Sequence, residues 1–118
     1  MKTFFVLLAL AIAACIQSCG LVSLTTIDGN RSFVLGEGVH GSYSAQVRNE
    51  SAVDVEVLTR TDGGTEISTG ILKAGQQQTY NVGPTTSVRF KNLSALPAAI
   101  KINLIGDENL SMGYRDNK

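Results

Sequence analysis

The chain has 118 residues, with 10 basic and 10 acidic side chains and no tryptophan. This length suits a single domain. The balanced charge lacks the basic excess that nucleic-acid binding relies on, so we expect no nucleic-acid partner. The second half is rich in Val, Ile, Thr and Gly, which favours short strands joined by tight turns.

The first segment, "MKTFFVLLALAIAAC", has the pattern of a secretory signal peptide. Lys2 precedes an apolar run from Phe4 to Ala14. At about 11 residues this run is too short to span a membrane, which takes roughly 20. A basic start, an apolar centre and small residues before a break are typical of a cleaved signal. We therefore predict a signal peptide over 1–18, a tether over 19–30 and a single domain over 31–118.

Both cysteines follow the apolar run, in "IAACIQSCG". "IAAC" and "IQSC" each resemble the lipobox of bacterial lipoproteins, in which an aliphatic, a tolerant and a small residue precede Cys. The resemblance implies cleavage just before that Cys and a diacylglycerol on its sulfur. The "SCG" junction is similar to lipoproteins of Bacteroidota, so we take Cys19 as the lipidation site, with Cys15 as the alternative. Because Gly20 rather than aspartate follows, the resemblance implies the outer membrane.

Other fates of the two cysteines stay open. Ordinary cleavage after Ala13 or Ala14 would release a soluble protein that begins near Cys15. A Cys15–Cys19 disulfide would close a small loop outside the domain and contribute little to its stability. A zinc site would lack further ligands nearby, because the single histidine, His40, lies far along the chain.

From Gly20 onward, alternating apolar and polar residues predict β-strands. The predicted strands cover 32–35, 38–49, 53–60, 79–82, 87–91, 100–105 and 110–114. Strands of this length separated by Gly and Pro turns predict an all-β fold, an antiparallel β-sandwich of seven or eight strands. It resembles immunoglobulin-like domains in architecture only, because the Cys…Trp…Cys core of true immunoglobulin domains is missing.

The turn "TDGGTE" allows one strand pairing to be predicted. A three-residue loop, 62–64, ends in Gly64, as such loops require. It would pair Thr59 with Ile67 and Val57 with Thr69, which keeps the apolar face intact and buries Ile67. It would also set the opposite charges of Arg60 and Glu66 across from each other.

No catalytic constellation is evident. His40 lies in "GEGVHGSY", and alternation places it with Ser42 and Ser44 on the solvent-facing side of a strand. The glycines of this stretch lack the Lys-Ser/Thr of a phosphate loop. Asp107 and Glu108 are too few for a calcium site. We predict no catalytic residue, no metal and no cofactor.

Asn-x-Ser occurs four times, at Asn30, Asn49, Asn92 and Asn109. In a eukaryotic secreted protein these would be glycan acceptors. In a bacterium they would be polar, turn-rich segments, which is the interpretation that we favour.

Together these features predict a non-enzymatic envelope lipoprotein, a small binding, assembly or accessory module held at the outer membrane by its lipid. Its partner would be an envelope protein or a glycan. Leu58 and Ile105, apolar residues on otherwise polar strand faces, are the candidate partner contacts. The alternative is a secreted soluble β-sandwich that binds carbohydrate or inhibits an enzyme.

Overall fold

The computed structural model describes residues 21–106 and 109–117. In these ranges no helix is long and apolar enough to cross a membrane. The described residues form nine β-strands: β1 Leu21–Ile27, β2 Arg31–Leu35, β3 Tyr43–Asn49, β4 Val55–Thr61, β5 Ile67–Leu72, β6 Gln77–Val82, β7 Thr86–Asn92, β8 Ala98–Gly106 and β9 Met112–Asp116.

The strands make two antiparallel sheets, so the predicted β-sandwich is confirmed. One sheet has four strands in the order β1-β8-β3-β6, and the other has five in the order β5-β4-β7-β2-β9. Every connection except β4–β5 joins one sheet to the other. This is the strand order of an eight-stranded jelly roll, with β9 added beside β2. The architecture shared with immunoglobulin-like domains is therefore built here with a different strand order.

The domain begins earlier than the sequence predicted. All seven residues of β1 pair with β8, from Leu21 opposite Leu104 to Ile27 opposite Ala98. The prediction of a tether over 19–30 is therefore wrong for 21–27. As an edge strand, β1 has apolar residues on both faces, Val22 and Leu24 outward and Leu21 and Ile27 inward, so no clean alternation marks it. The predicted signal peptide and both cysteines lie outside the described residues.

The core lies between the sheets and contains the alternating residues predicted for the central strands. Phe90 of β7 is fully buried, with its ring centroid 6.4 Å from that of Phe33 and 6.3 Å from that of Tyr80. Around it pack buried aliphatic side chains from both sheets: Val47, Val55, Val57, Leu72, Val88, Ile100, Ile102 and Leu104.

The β4–β5 hairpin follows the predicted pairing only near its turn. Thr59 pairs with Ile67 as predicted, but a bulge between Val57 and Leu58 puts Gly70, not Thr69, opposite Val57. Ile67 is 64% exposed, so its predicted burial is wrong. The reason is that β5 is an edge strand, exposed along most of its length.

The charges at this turn also pair differently from the prediction. Glu66 makes its ion pair with Arg89, at 3.2 Å. Arg60 instead donates from Nε to the carbonyl oxygen of Gly64, at 2.9 Å.

Two connections between the sheets are built around buried asparagines, and we call 49–53 and 92–96 the asparagine corners. Asn49 Oδ1 accepts from the Ser51 amide at 3.0 Å, and Asn49 Nδ2 donates to the Val53 carbonyl at 2.7 Å. Asn92 repeats this geometry with Ser94 and Leu96, at 3.0 and 2.7 Å. Both asparagines are fully buried. Each corner therefore replaces strand pairing with side-chain hydrogen bonds where the chain leaves its sheet.

Candidate functional site

The residues singled out in the sequence do not come together in one site. Cys19 and Cys15 lie outside the described residues, as do Asp107 and Glu108. Leu58, half-buried, lies opposite Arg89 on the outer face of the five-stranded sheet. Ile105, 56% exposed, lies opposite Ser44 on the outer face of the four-stranded sheet. Leu58 and Ile105 therefore cannot contribute to one continuous contact surface.

His40 is buried, so the prediction of a solvent-facing histidine is wrong. Its Nδ1 lies 2.7 Å from the Gly41 carbonyl oxygen, and its Nε2 lies 2.9 Å from that of Thr86. The ring packs edge-on against Tyr43, with centroids 5.4 Å apart. Alternation failed here because β3 begins only at Tyr43, and the residues before it form a loop across the end of the sandwich. With both ring nitrogens against main-chain carbonyls, His40 joins this loop to β7 and is not placed to act as a base.

Tyr43 completes this buried end of the sandwich. Burial raises the pKa of its phenol well above the ordinary value. Its hydroxyl has no hydrogen-bond partner within the described part of the chain. Gly36, at φ +78°, packs against it so closely that a Cβ would lie 2.8 Å from the hydroxyl oxygen. The loop conformation and this contact both require glycine, which indicates a packing role for the pair.

A charged groove of about 210 Å³ crosses the outer face of the five-stranded sheet. We call it the arginine groove; it is lined by Val34, Glu37, Arg60, Gly64, Glu66, Ser87, Arg89 and Arg115. Arg89 is held by Ser32 Oγ at 2.9 Å, Glu66 at 3.2 Å and the Asp116 carbonyl at 3.3 Å. Arg115 forms an ion pair with Glu37.

Arg60 differs from the other two arginines of the groove. Among the described residues, the only hydrogen bond of its guanidinium goes from Nε to the Gly64 carbonyl, and none of the four ion pairs found there includes it. A guanidinium with free donors beside two neutralised arginines can bind a carboxylate, phosphate or sulfate in bidentate geometry. Sequence reasoning missed this groove because its residues come from four strands and two loops.

The outer face of the four-stranded sheet is mostly neutral and polar. Cross-strand pairing sets Gln46 between Asn103 and Thr79, and Ser44 between Ile105 and Asn81. The Oδ1 atom of Asn103 is buried and has no hydrogen-bond partner in the described part of the chain. A sheet face with this many closely spaced amide and hydroxyl groups suits a neutral, hydroxyl-rich ligand better than an ion.

Two of the four Asn-x-Ser sites have structural roles. Asn49 and Asn92 are the buried residues of the asparagine corners, and each side-chain amide already donates to carbonyls of the main chain. A glycan on either nitrogen would disrupt the folded core. The sequence carried a signal for this role, because both sites read Asn-x-Ser-Ala at the end of a strand.

Comparison with known proteins identifies the fold alone. No family model matches the chain, and neither does any curated protein. The chain is similar to the pre-peptidase C-terminal domain of a collagenase from Bacillus anthracis, with TM-score 0.51 and 10% identity over 73% of this chain and 89% of that one. It also matches the Yersinia pseudotuberculosis-derived mitogen, with TM-score 0.45 and 13% identity over 77% and 92%. The first likeness supports the β-sandwich fold.

Proposed function

We propose that this protein is a non-enzymatic lipoprotein of the bacterial outer membrane, anchored through Cys19, whose β-sandwich serves as a binding or accessory module. One observation carries the proposal: only Gly20 separates Cys19 from the first residue of β1. Cleavage just before Cys19 would therefore remove the signal and leave every β1–β8 pair intact. Cleavage before Cys15, the alternative, also spares β1.

The environment of His40 supports a non-enzymatic role. It is the only histidine of the chain, and both of its ring nitrogens face main-chain carbonyl oxygens. A Ser-His-Asp or Cys-His mechanism needs one ring nitrogen free to take a proton from the nucleophile. His40 is therefore better suited to holding the 36–42 loop than to proton transfer.

The arginine groove is the surface that we propose for a partner. Arg60 supplies an exposed cation, and Arg89 and Arg115 are already fixed by their own ion pairs. The hydrogen bond from Arg60 Nε to the Gly64 carbonyl already orients its guanidinium, which lowers the entropy lost on binding and favours an acidic group of an envelope protein or glycan.

The alternative, a secreted soluble sandwich that binds carbohydrate, is favoured by the neutral outer face of the four-stranded sheet. Asn103 Oδ1, which has no hydrogen-bond partner among the described residues, lies there next to Gln46 and could accept a hydrogen bond from a sugar hydroxyl. This alternative needs no lipid.

Metabolic labelling distinguishes the two. Cells expressing the full chain are grown with radioactive palmitate, and the protein is compared with its Cys19→Ala, Cys15→Ala and double variants. We expect label in the wild type and in Cys15→Ala, and none in the other two. The reverse pattern of the single variants would move the anchor to Cys15. An unlabelled wild type, or a labelled double variant, would refute the lipoprotein proposal.

A further inference from the structure

The edge strand β1 exposes apolar side chains at the end where the chain enters the sandwich. Val22 is 48% exposed and Leu24 79%. On the neighbouring strand β8, Ile105 is 56% exposed. We call these three residues, which share the outward face of the four-stranded sheet, the β1 apolar strip. Leu21 lies opposite the buried Leu104 and therefore belongs to the inward side. Single exposed apolar residues are common, but three on one face of two adjacent strands mark a contact surface.

The sheet pairing shows how the strip lies. Val22 is opposite Asn103, and Leu24 is opposite Lys101, so these two point outward from the four-stranded sheet. Ile105 is the next outward residue of β8 after Asn103. The outward strand positions of this sheet that are described include the cations Lys101 and Arg48 and no carboxylate. Arg48 is paired with Glu50, at 3.8 Å, whereas Lys101 enters none of the four ion pairs of the described residues. The strip therefore adjoins a face that is neutral apart from Lys101.

We infer that the β1 apolar strip rests on the phospholipid bilayer; this inference depends on the proposed lipid anchor at Cys19. Two Cα–Cα steps separate Cys19 from Leu21, which allows at most about 7 Å. Acyl chains on the Cys19 sulfur would thus hold the start of β1 at the lipid headgroups. Val22 and Leu24 would enter the apolar boundary there, and Lys101 would lie near the phosphates. An anchor at Cys15 would add four residues, about 14 Å of chain, and remove this constraint.

Tryptophan fluorescence tests the contact without interference, because the chain has no tryptophan. Val22→Trp and Leu24→Trp each place the probe in the strip, at exposed strand positions that tolerate an aromatic side chain. The control is Leu93→Trp, which is also exposed but follows Asn92, whose side chain bonds to Ile27 at the far end of β1. Seven strand residues put this control about 20 Å from Leu21.

Each lipidated variant is placed in vesicles of phosphatidylcholine and phosphatidylglycerol, with or without brominated acyl chains that quench nearby tryptophan. Intact-mass measurement first establishes acylation at Cys19. We expect the Val22→Trp and Leu24→Trp variants to lose about half of their fluorescence, in keeping with burial of roughly 5–10 Å, and the Leu93→Trp control to be nearly unaffected. Acylated protein whose three probes are quenched alike, or not at all, would overturn the inference and leave the anchor in place. Protein without the acyl group would refute the proposed function itself, and the inference with it.

Discussion

The asparagine corners make the sharpest prediction about what holds this sandwich together. We consider Asn92→Ala, which removes one side-chain amide and leaves the strands themselves unchanged. Asn92 Nδ2 donates to the carbonyls of Ile27 at 3.0 Å and Leu96 at 2.7 Å, with Asp28 at 3.3 Å. Its Oδ1 accepts from the Ser94 amide. One side chain thus joins the end of β1, the end of β7 and the connection to β8.

The expected cost follows from these bonds. A buried hydrogen bond contributes about 1 kcal/mol net, and each partner left unsatisfied adds to the loss. Three well-formed bonds at a fully buried position give an expected loss of about 3 kcal/mol in the free energy of unfolding. Asn92→Asp keeps the acceptor but turns a carboxylate oxygen towards carbonyl oxygens. At neutral pH we expect Asn92→Asp to lower the free energy of unfolding at least as much as Asn92→Ala does.

Urea unfolding of the domain from residue 21 onward measures these changes in the free energy of unfolding, provided that the m-value is the same for each variant. The matched control is Asn81→Ala, an exposed asparagine in β6 that accepts one hydrogen bond from Ser44. The control should change the free energy of unfolding by less than about 0.5 kcal/mol. If Asn92→Ala lost no more than this control, the idea that the corner amides close the sandwich would be wrong.

Three further substitutions test the packing of the loops and turns. Tyr43→Phe should leave stability at neutral pH equal or higher, because the hydroxyl is buried without a partner in the described part of the chain. Since burial raises the pKa of Tyr43, the folded state keeps the phenolic proton more tightly than the unfolded chain does. The free energy of unfolding of the wild type should therefore fall as pH rises above about 10. Urea titrations at high pH should show a smaller fall in Tyr43→Phe. In Gly29→Ala the new Cβ would lie 2.2 Å from the Ala95 carbonyl oxygen, so we expect thermal unfolding to show a free energy of unfolding lower by about 2 kcal/mol or more. The control Gly113→Ala has open space around its Cβ and should leave this free energy nearly unchanged. His40→Ala should lower the free energy of unfolding by about 2 kcal/mol and speed amide hydrogen exchange in the 36–42 loop. Unchanged exchange would show that the His40 ring does not hold the loop.

The parts of the fold that the sequence predicted well are the central strands. In β7 and β8, inward residues such as Val88, Phe90 and Ile102 alternate with polar ones and are fully buried. These strands have a neighbour on each side and the other sheet across the core. Their inward positions therefore have to be apolar, and period-two patterns report them reliably.

The edge strands could not be predicted with the same certainty. An edge strand is covered by only one neighbour, so its residues need not alternate. Ile67 of β5 lies on the side predicted to be buried and is nevertheless exposed, and β1 carries its apolar residues on both faces. The bulge leaves Thr69 of β5 as the extra residue and moves the pairing by one; Gly70 beside it, at φ +130°, is the sequence mark that the predicted register overlooked.

The candidate surfaces were hidden from sequence for a different reason. Strand order depends on long-range pairing, which local patterns do not encode. Arg60, Arg89 and Arg115 look like scattered surface charges until the order β4-β7-β2-β9 brings them to one face. Asn49 and Asn92, by contrast, carried a local signal, because the repeated Asn-x-Ser-Ala coincides with two strand ends.

The position of β1 connects the proposed anchor with the proposed binding surface. If Cys19 carries the lipid and the β1 apolar strip rests on the bilayer, the four-stranded sheet lies on the membrane side. The arginine groove is on the outer face of the opposite sheet, so it would face away from the bilayer and stay open to an acidic partner. The neutral face that favours a carbohydrate ligand would instead lie towards the lipid. Membrane contact of the β1 apolar strip and carbohydrate binding on the four-stranded sheet therefore compete for one surface, whereas this contact and binding in the groove are compatible.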